Sequence, residues 1–216
     1  AKMPTVHDAC NTRVAFLSSL REISVVDTVD DGFQQISIEL SIEPSFIALS
    51  PTYTACGMNI RIWFYRLGNS MEDKVPIAER EFPGNIESVC LNTHYAAVLV
   101  EGKIHLFLIE PQSYGDEDTK IFNENSGRIT HMDLRDDVLI YIVDSNSRGL
   151  QTCVVKFFSL RAWVMLEGCE YRHDTALRAV YPNKSGTRLC LLDESGRGWI
   201  YNPSASHIFQ IEEFGG

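Results

Sequence analysis

Apolar and polar residues follow one another in short runs along the whole chain, and nowhere with the 3.6-residue period of a helix. The stretch "YAAVLVEGKIHLFLIE" from Tyr95 sets the pattern: an apolar run, a Glu-Gly-Lys interruption and a second apolar run. It recurs as "YTACGMNIRIWFYRL" from Tyr53, "VLIYIVDSNSRGLQTCVVKFF" from Val138 and "TRLCLLDESGRGWIYNP" from Thr187. Each predicts two strands joined by a turn, because Gly and Asn supply the positive φ that tight hairpins need. The four starts lie 42, 43 and 49 residues apart.

Two further strands can be placed in each repeat. "FIALS" at Phe46, "IESVCLN" at Ile86, "ITHMDLRD" at Ile129 and "ALRAVYP" at Ala176 precede the hairpins. "VPIAEREF" at Val75, "TKIFNEN" at Thr119, "WVMLEGCEY" at Trp163 and "SHIFQIEEF" at Ser206 follow them and are more polar. A period of about 40–45 residues with four strands per unit is the signature of an all-β propeller of the WD40 type. The polar outer strand suits a blade whose outer edge meets water. Near the start, "RVAFLSS", "EISVVDT" and "QQISIEL" supply three strands of one more unit. The predicted blades are 12–41, 45–83, 86–125, 129–173 and 176–214, about five in a single propeller domain or fragment. "AKMPTVHDAC" is a poor candidate for the first unit's inner strand, and the last unit already has its outer strand. The expectation is an incomplete ring with blades outside this sequence; a closed five-bladed ring is the alternative.

Composition narrows the function. With 216 residues and 44% apolar content the chain can bury a sizeable core. A net charge of −10 opposes phosphate backbones and anionic lipid, which argues against nucleic acid and membrane surfaces as direct partners. No apolar run reaches the roughly 18 residues that span a bilayer. Cys10, Cys56, Cys90, Cys153, Cys169 and Cys190 are scattered without a C-x-x-C pair. Free buried thiols in a reducing compartment fit better than a disulfide framework. Asn183-Lys184-Ser185 is the single glycosylation sequon, short enough to arise by chance.

"DACNTRVAFLSSL" from Asp8, "GMNIRIWFYRLG" from Gly57, "HYAAVLVEGKIHLFLIE" from His94 and "GTRLCLLDESGRGWIY" from Gly186 carry a more specific likeness. In order and spacing they resemble the second propeller of the WD repeat-containing protein 19 family, large subunits of intraflagellar transport complex A. The usual Trp-Asp dipeptide and Gly-His pair are missing, which the family tolerates. The resemblance implies two tandem seven-bladed propellers followed by helical repeats, with this chain forming about five blades of the second. It also implies a scaffold in retrograde ciliary transport and in delivery of ciliary membrane proteins. The partners would be other subunits of the complex and ciliary cargo adaptors, in the cytoplasm and in the cilium at axoneme and basal body. No catalytic residue transfers, since the matching residues are the strand core.

The residues themselves call for no cofactor or metal. His7, His94, His105, His131, His173 and His207 form no pair with zinc spacing. Alternation sets His105 opposite the apolar positions of its strand, where a surface or hydrogen-bonded histidine is expected. Cys169 and His173 lie four apart in an outer strand, a spacing that does not converge on one face. "DESGRG" from Asp193 lacks the nucleophile-elbow pattern and a following helix, so a hairpin turn accounts for it. "GDED" from Gly115 reads as a solvated acidic loop. Trp63 and Trp199 fall at comparable places in their hairpins and are expected to pack between blades, with core packing also the default for Trp163. The inner strands carry Ser88, Asp133 and Arg178, which do not share one chemistry. An interaction scaffold is thus favoured over a propeller enzyme. A coat-type or ubiquitin-ligase adaptor propeller would differ only in its partners.

Overall fold

The computed structural model describes residues 6–110, 119–147 and 150–211. Five sheets follow one another along the chain. The first holds β1 (His7–Cys10), β2 (Arg13–Ser19), β3 (Glu22–Asp27) and β4 (Ile36–Glu39). The second holds β5 (Phe46–Leu49), β6 (Tyr53–Met58), β7 (Arg61–Arg66) and β8 (Ala78–Glu81). The third holds β9 (Ile86–Leu91), β10 (Tyr95–Val100), β11 (Lys103–Leu108) and β12 (Lys120–Phe122). The fourth holds β13 (Arg128–Leu134), β14 (Val138–Ser147) and β15 (Leu150–Ser159), its outer edge divided between β16 (Val164–Met165) and β17 (Tyr171–His173). The fifth holds β18 (Leu177–Pro182), β19 (Leu189–Asp193), β20 (Gly198–Asn202) and β21 (His207–Ile211). Strands adjacent in sequence are neighbours in each sheet, except that β17 pairs with β15. Among the described residues the helical segments are three single 3-10 turns, at Glu72–Lys74, Glu167–Cys169 and Pro203–Ala205.

One expectation is corrected. His7–Cys10 does form the inner strand of the first sheet, pairing antiparallel with β2 from His7↔Phe16 to Cys10↔Arg13. Hydrophobicity did not mark it, because its strength comes from hydrogen bonds. Besides its ladder, the Asp8 carboxylate accepts the Leu49 N–H at 2.7 Å and ties β1 to β5.

Short repeated devices shape each unit. At the first turn of the second, third and fifth sheets a side-chain oxygen accepts from backbone N–H groups, as Asx and Ser turns do. Ser50 Oγ accepts from Tyr53 at 2.9 Å, Asn92 Oδ1 from Tyr95 at 2.6 Å and Asn183 Oδ1 from Arg188 at 3.1 Å. The hairpin turns that follow use positive φ at Asn59 (56°), Gly102 (74°) and Gly196 (83°), as the Gly/Asn reading predicts. Glu101 (50°) precedes Gly102 in the same left-handed region. Two successive positive φ values match the twist of the flanking strands.

The chain divides into two compact units, Ala1–Glu101 with His105–Lys120, and Gly102–Ile104 with Ile121–Gly216. In the first, Ala15, Ile23 and Val25 meet Ile47, Leu49 and Cys56. A second layer joins Ala48, Ala55 and Phe64 to Ala96, Val98 and Phe107. In the other unit, Ile140, Ile142 and Phe157 meet Leu189, Leu191 and Tyr201. On the apolar middle strands, Ile62, Phe64, Val98, Val100, Leu106, Ile140, Ile142 and Leu191 are buried. Leu108, the last residue of β11, is only half-buried, while Phe107 and Ile109 beside it are buried. All six cysteines are free thiols, and burial pushes Cys56 and Cys153 up to about 12.

Gly57 shows how tightly the first unit packs. It lies in β6 opposite Ile62, and a Cβ there would collide with the Arg61 carbonyl oxygen and the Phe46 ring. Gly57→Ala is expected to destabilise the chain by about 1–3 kcal/mol, the range for overpacking. Chemical denaturation checks this, and a variant as stable as the parent would mean that the strand yields.

Candidate functional site

A dense polar constellation in the second unit is built on a buried carboxylate. It grows from the turn between β19 and β20. Asp193 ends β19 and is 0% exposed. Its Oδ1 accepts from Ser195 Oγ at 2.5 Å and from the Arg197 backbone N–H at 2.9 Å. Its Oδ2 accepts from Arg197 Nε at 3.1 Å and Trp199 Nε1 at 3.3 Å. His173, at the end of β17 and 6% exposed, brings Nε2 to 3.6 Å from the same oxygen. Tyr171 OH meets His173 Nδ1 at 2.9 Å. The His173 ring stands edge-on to Trp199, with centroids 5.3 Å apart.

Burial alone would raise the pKa of Asp193. Donation by Ser195, by the Arg197 backbone and by Trp199, with the Arg197 charge, outweighs it and holds the carboxyl well below the usual range. The group is therefore an ionised carboxylate held by donors, the form in which a buried charge is tolerated. Ser, His and Asp are all present, but not as a nucleophile–base pair. Ser195 donates to Asp193, and neither ring nitrogen of His173 is bonded to Ser195. A nucleophilic triad needs the serine on the histidine. The arrangement fixes the β19–β20 turn against the fourth sheet.

This cluster was missed as a site because "DESGRG" was read only as a turn. The signal lies in the spacing: Asp193, Ser195, Arg197 and Trp199 occupy every second position, which sets them on one side of a hairpin.

The other candidates fall as follows. Trp63 and Trp199 are half-buried and pack against the apolar layers of their units, as expected. Trp163 departs from core packing: it is 38% exposed with φ 58°, at the turn into β16. Its ring still stands edge-on to Phe158, centroids 5.3 Å apart. His105 is half-buried, edge-on to Phe82 at 5.4 Å. His7, His94 and His207 are exposed, and His131 Nδ1 lies 3.1 Å from Thr130 Oγ1. Cys169 sits in a 3-10 turn, apart from the strand that carries His173. Among the described residues no group of three or more His, Cys, Asp or Glu could hold a metal ion. Ser88 lies on β9, Asp133 accepts from Arg135 at 2.9 Å, and Arg178 is exposed at the bulge of β18. The "GDED" loop lies outside the described residues. No helix among the described residues is long and apolar enough to cross a membrane.

A second polar cluster joins strands of the same unit. Lys156 Nζ is 2.9 Å from Glu124 Oε2, and Tyr141 OH donates to Glu124 Oε1 at 2.9 Å. Tyr141 is itself buried, and desolvation first, then Glu124, raises its pKa far above that of an ordinary phenol. In both clusters the polar groups are bonded to one another, with Ser195 and Arg197 exposed at the rim of the first.

Comparison with known proteins sets this geometry in context. Among solved structures, Kluyveromyces lactis Hsv2 superposes with a TM-score of 0.61 at 15% identity, covering 89% of this chain and 58% of that one. The Myceliophteria thermophila Cps50 (Swd1) beta-propeller domain gives 0.65 at 12% identity, covering 95% and 70%. At such identities the likeness shows the fold, an all-β WD40-type propeller. In sequence, human WD repeat-containing protein 19 is 35% identical over 218 residues, 99% of this chain. The Caenorhabditis elegans WD repeat-containing protein dyf-2 is 24% identical over 236 residues. The chain spans about 15% of the length of the human relative and 16% of the nematode one. The family model described as the WDR19 second beta-propeller matches residues 14–216, and the chain belongs to that family.

Proposed function

We propose that the chain is a non-catalytic interaction module of a subunit of intraflagellar transport complex A. In this reading it serves retrograde ciliary transport and the delivery of membrane proteins into cilia, from the basal body and along the axoneme. Its partners are other subunits of the complex and ciliary cargo adaptors. The observation that carries the reading is the 35% identity to human WD repeat-containing protein 19 across 99% of the chain. The closed state of the polar clusters supports it: Asp193, Tyr141 and Glu124 spend their hydrogen bonds on neighbours, so chemistry would need groups presented elsewhere. Rigid sheets presenting loops suit multi-partner assembly.

The test is affinity purification of the tagged full-length protein from ciliated cells, with fluorescence imaging of the same tag. Co-purification of transport-complex subunits in constant ratio, with signal at the ciliary base and along the shaft, is the expected result. A protein absent from cilia that co-purifies with vesicle-coat or ubiquitin-ligase subunits would overturn it.

A further inference from the structure

The turn from β15 into β16 carries a side chain that its own geometry does not ask for. Ser159 pairs with Val164, and residues 160–163 close the hairpin between them. Trp163 has φ 58°. That left-handed region crowds an L side chain, a bulky one most of all, and Gly or Asn holds such a position at less cost. The other non-glycine residues found there among the described ones are Asn11, Asn59, Glu101 and Ser206, none of them aromatic. Core packing accounts for Trp163 only in part. Its ring meets Phe158 edge-on, yet the residue stays 38% exposed, whereas Trp63 and Trp199 are half-buried.

The neighbouring residues extend the projection. Ala162 is exposed and Val164 is 51% exposed. Arg161 is exposed and, among the described residues, joins no ion pair. Neither Asp137 nor Glu167, exposed carboxylates of the adjoining segments, pairs with it. The backbone holds the turn in place. Ala162 N–H donates to Ser159 Oγ at 3.1 Å, the N–H of buried Leu160 to the Asp137 carbonyl at 2.9 Å, and Leu166 N–H to the Phe157 carbonyl at 2.8 Å. A partner therefore meets a projection already in shape, and contact costs little ordering entropy. A projecting indole offers no concavity to a small molecule, which needs a cleft. Tryptophan and arginine side by side are instead the anchors that dominate protein–protein interfaces. A bilayer interface also takes Trp beside a cation, but a net charge of −10 opposes an anionic membrane.

We propose that residues 161–164 form a docking knob for a partner protein: Trp163 seats in an apolar pocket of that partner, and Arg161 pairs with a carboxylate at the pocket's rim. An unpaired guanidinium selects a carboxylate because the two make charge-assisted hydrogen bonds. The knob rests on the scaffold reading above only for where its partner is sought, among the subunits of the transport complex.

The experiment compares the full-length parent with Trp163→Asn and Arg161→Glu, each tagged and purified from ciliated cells, with every co-purifying protein quantified against the bait by mass spectrometry. Asn tolerates the left-handed turn, and Arg161 is exposed, so neither change attacks the fold. The same one partner should fall by at least about tenfold in both variants, the loss expected at an interface anchor, while the other partners keep their ratio to the bait. Retention of every partner at the parent level overturns the knob and leaves the transport reading standing. A parent that brings down vesicle-coat or ubiquitin-ligase subunits overturns that reading instead, and the knob then stands or falls by the same selective loss among those proteins. A loss confined to Trp163→Asn overturns the carboxylate rim, and an equal loss of all partners overturns the knob, since the assembly as a whole has failed. Parent protein that sediments with vesicles of phosphatidylcholine and phosphatidylserine when Trp163→Asn does not also overturns it, because the occupant would then be lipid.

Discussion

Phe64→Ala should cost roughly 3–5 kcal/mol of stability, the upper range for truncating a buried aromatic. Phe64 is fully buried in the layer between the second and third sheets. Its register partners are Ala55 on one side and Ala78 on the other, and Ala48 and Ala96 share the layer. Those small residues leave the space that the ring fills. Its edge meets Phe107, centroids 6.0 Å apart and planes at 90°. Truncation forfeits that contact and opens a cavity lined in part by alanines, which cannot refill it. Phe64→Leu should cost less, because most of the volume remains. Urea unfolding of the three proteins gives the ranking, with unchanged slopes showing that stability alone has moved. A loss below about 0.5 kcal/mol, typical of surface positions, would mean that Phe64 is not where the structure puts it.

That layer was legible in the sequence, and the reasons are physical. Middle strands buried on both faces read as apolar runs, so β6, β7, β10 and β11 stood out together with the turns between them. Turn chemistry at Asn59, Gly102 and Gly196 was equally plain, since few residues tolerate positive φ. Edge strands were harder. β1 has four residues, two of them exposed, and is held by its ladder and the Asp8–Leu49 bond, which no hydropathy pattern encodes. Trp163 was assigned to packing by residue type, yet a left-handed turn lifts it partly into solvent. The buried cluster around Asp193 escaped for a different reason. His173 and Asp193 are twenty residues apart, and only the pairing of β17 with β15 and the packing of β19 bring them together. The family resemblance, by contrast, needed only the strand-core stretches, and the comparison over residues 14–216 bears it out.

Asp193→Ala should destabilise the protein by roughly 2–4 kcal/mol, because it removes a buried acceptor from several donors at once. The Arg197 backbone N–H, Trp199 Nε1 and Ser195 Oγ all lose their acceptor. The substitution should also remove part of the protein's acid sensitivity. The Asp193 carboxyl has a lower pKa folded than unfolded. Its contribution is then fully present above the ordinary carboxylate value near 4 and is lost as pH falls below that value toward the folded one. Asp27, Asp73 and Glu110 are shifted the same way by their own partners, and Asp144 is shifted upward by burial. These groups are common to parent and variant, so the difference between the two stabilities isolates Asp193. That difference should be near its full value at pH 7 and should shrink steadily between about pH 4 and pH 2, the window set by the downward shift. Guanidinium unfolding of both proteins at matched pH values measures it. If the gap stays constant through that window, Asp193 is not an ionised acceptor in the folded chain, and the hydrogen bonds drawn to it do not hold the turn.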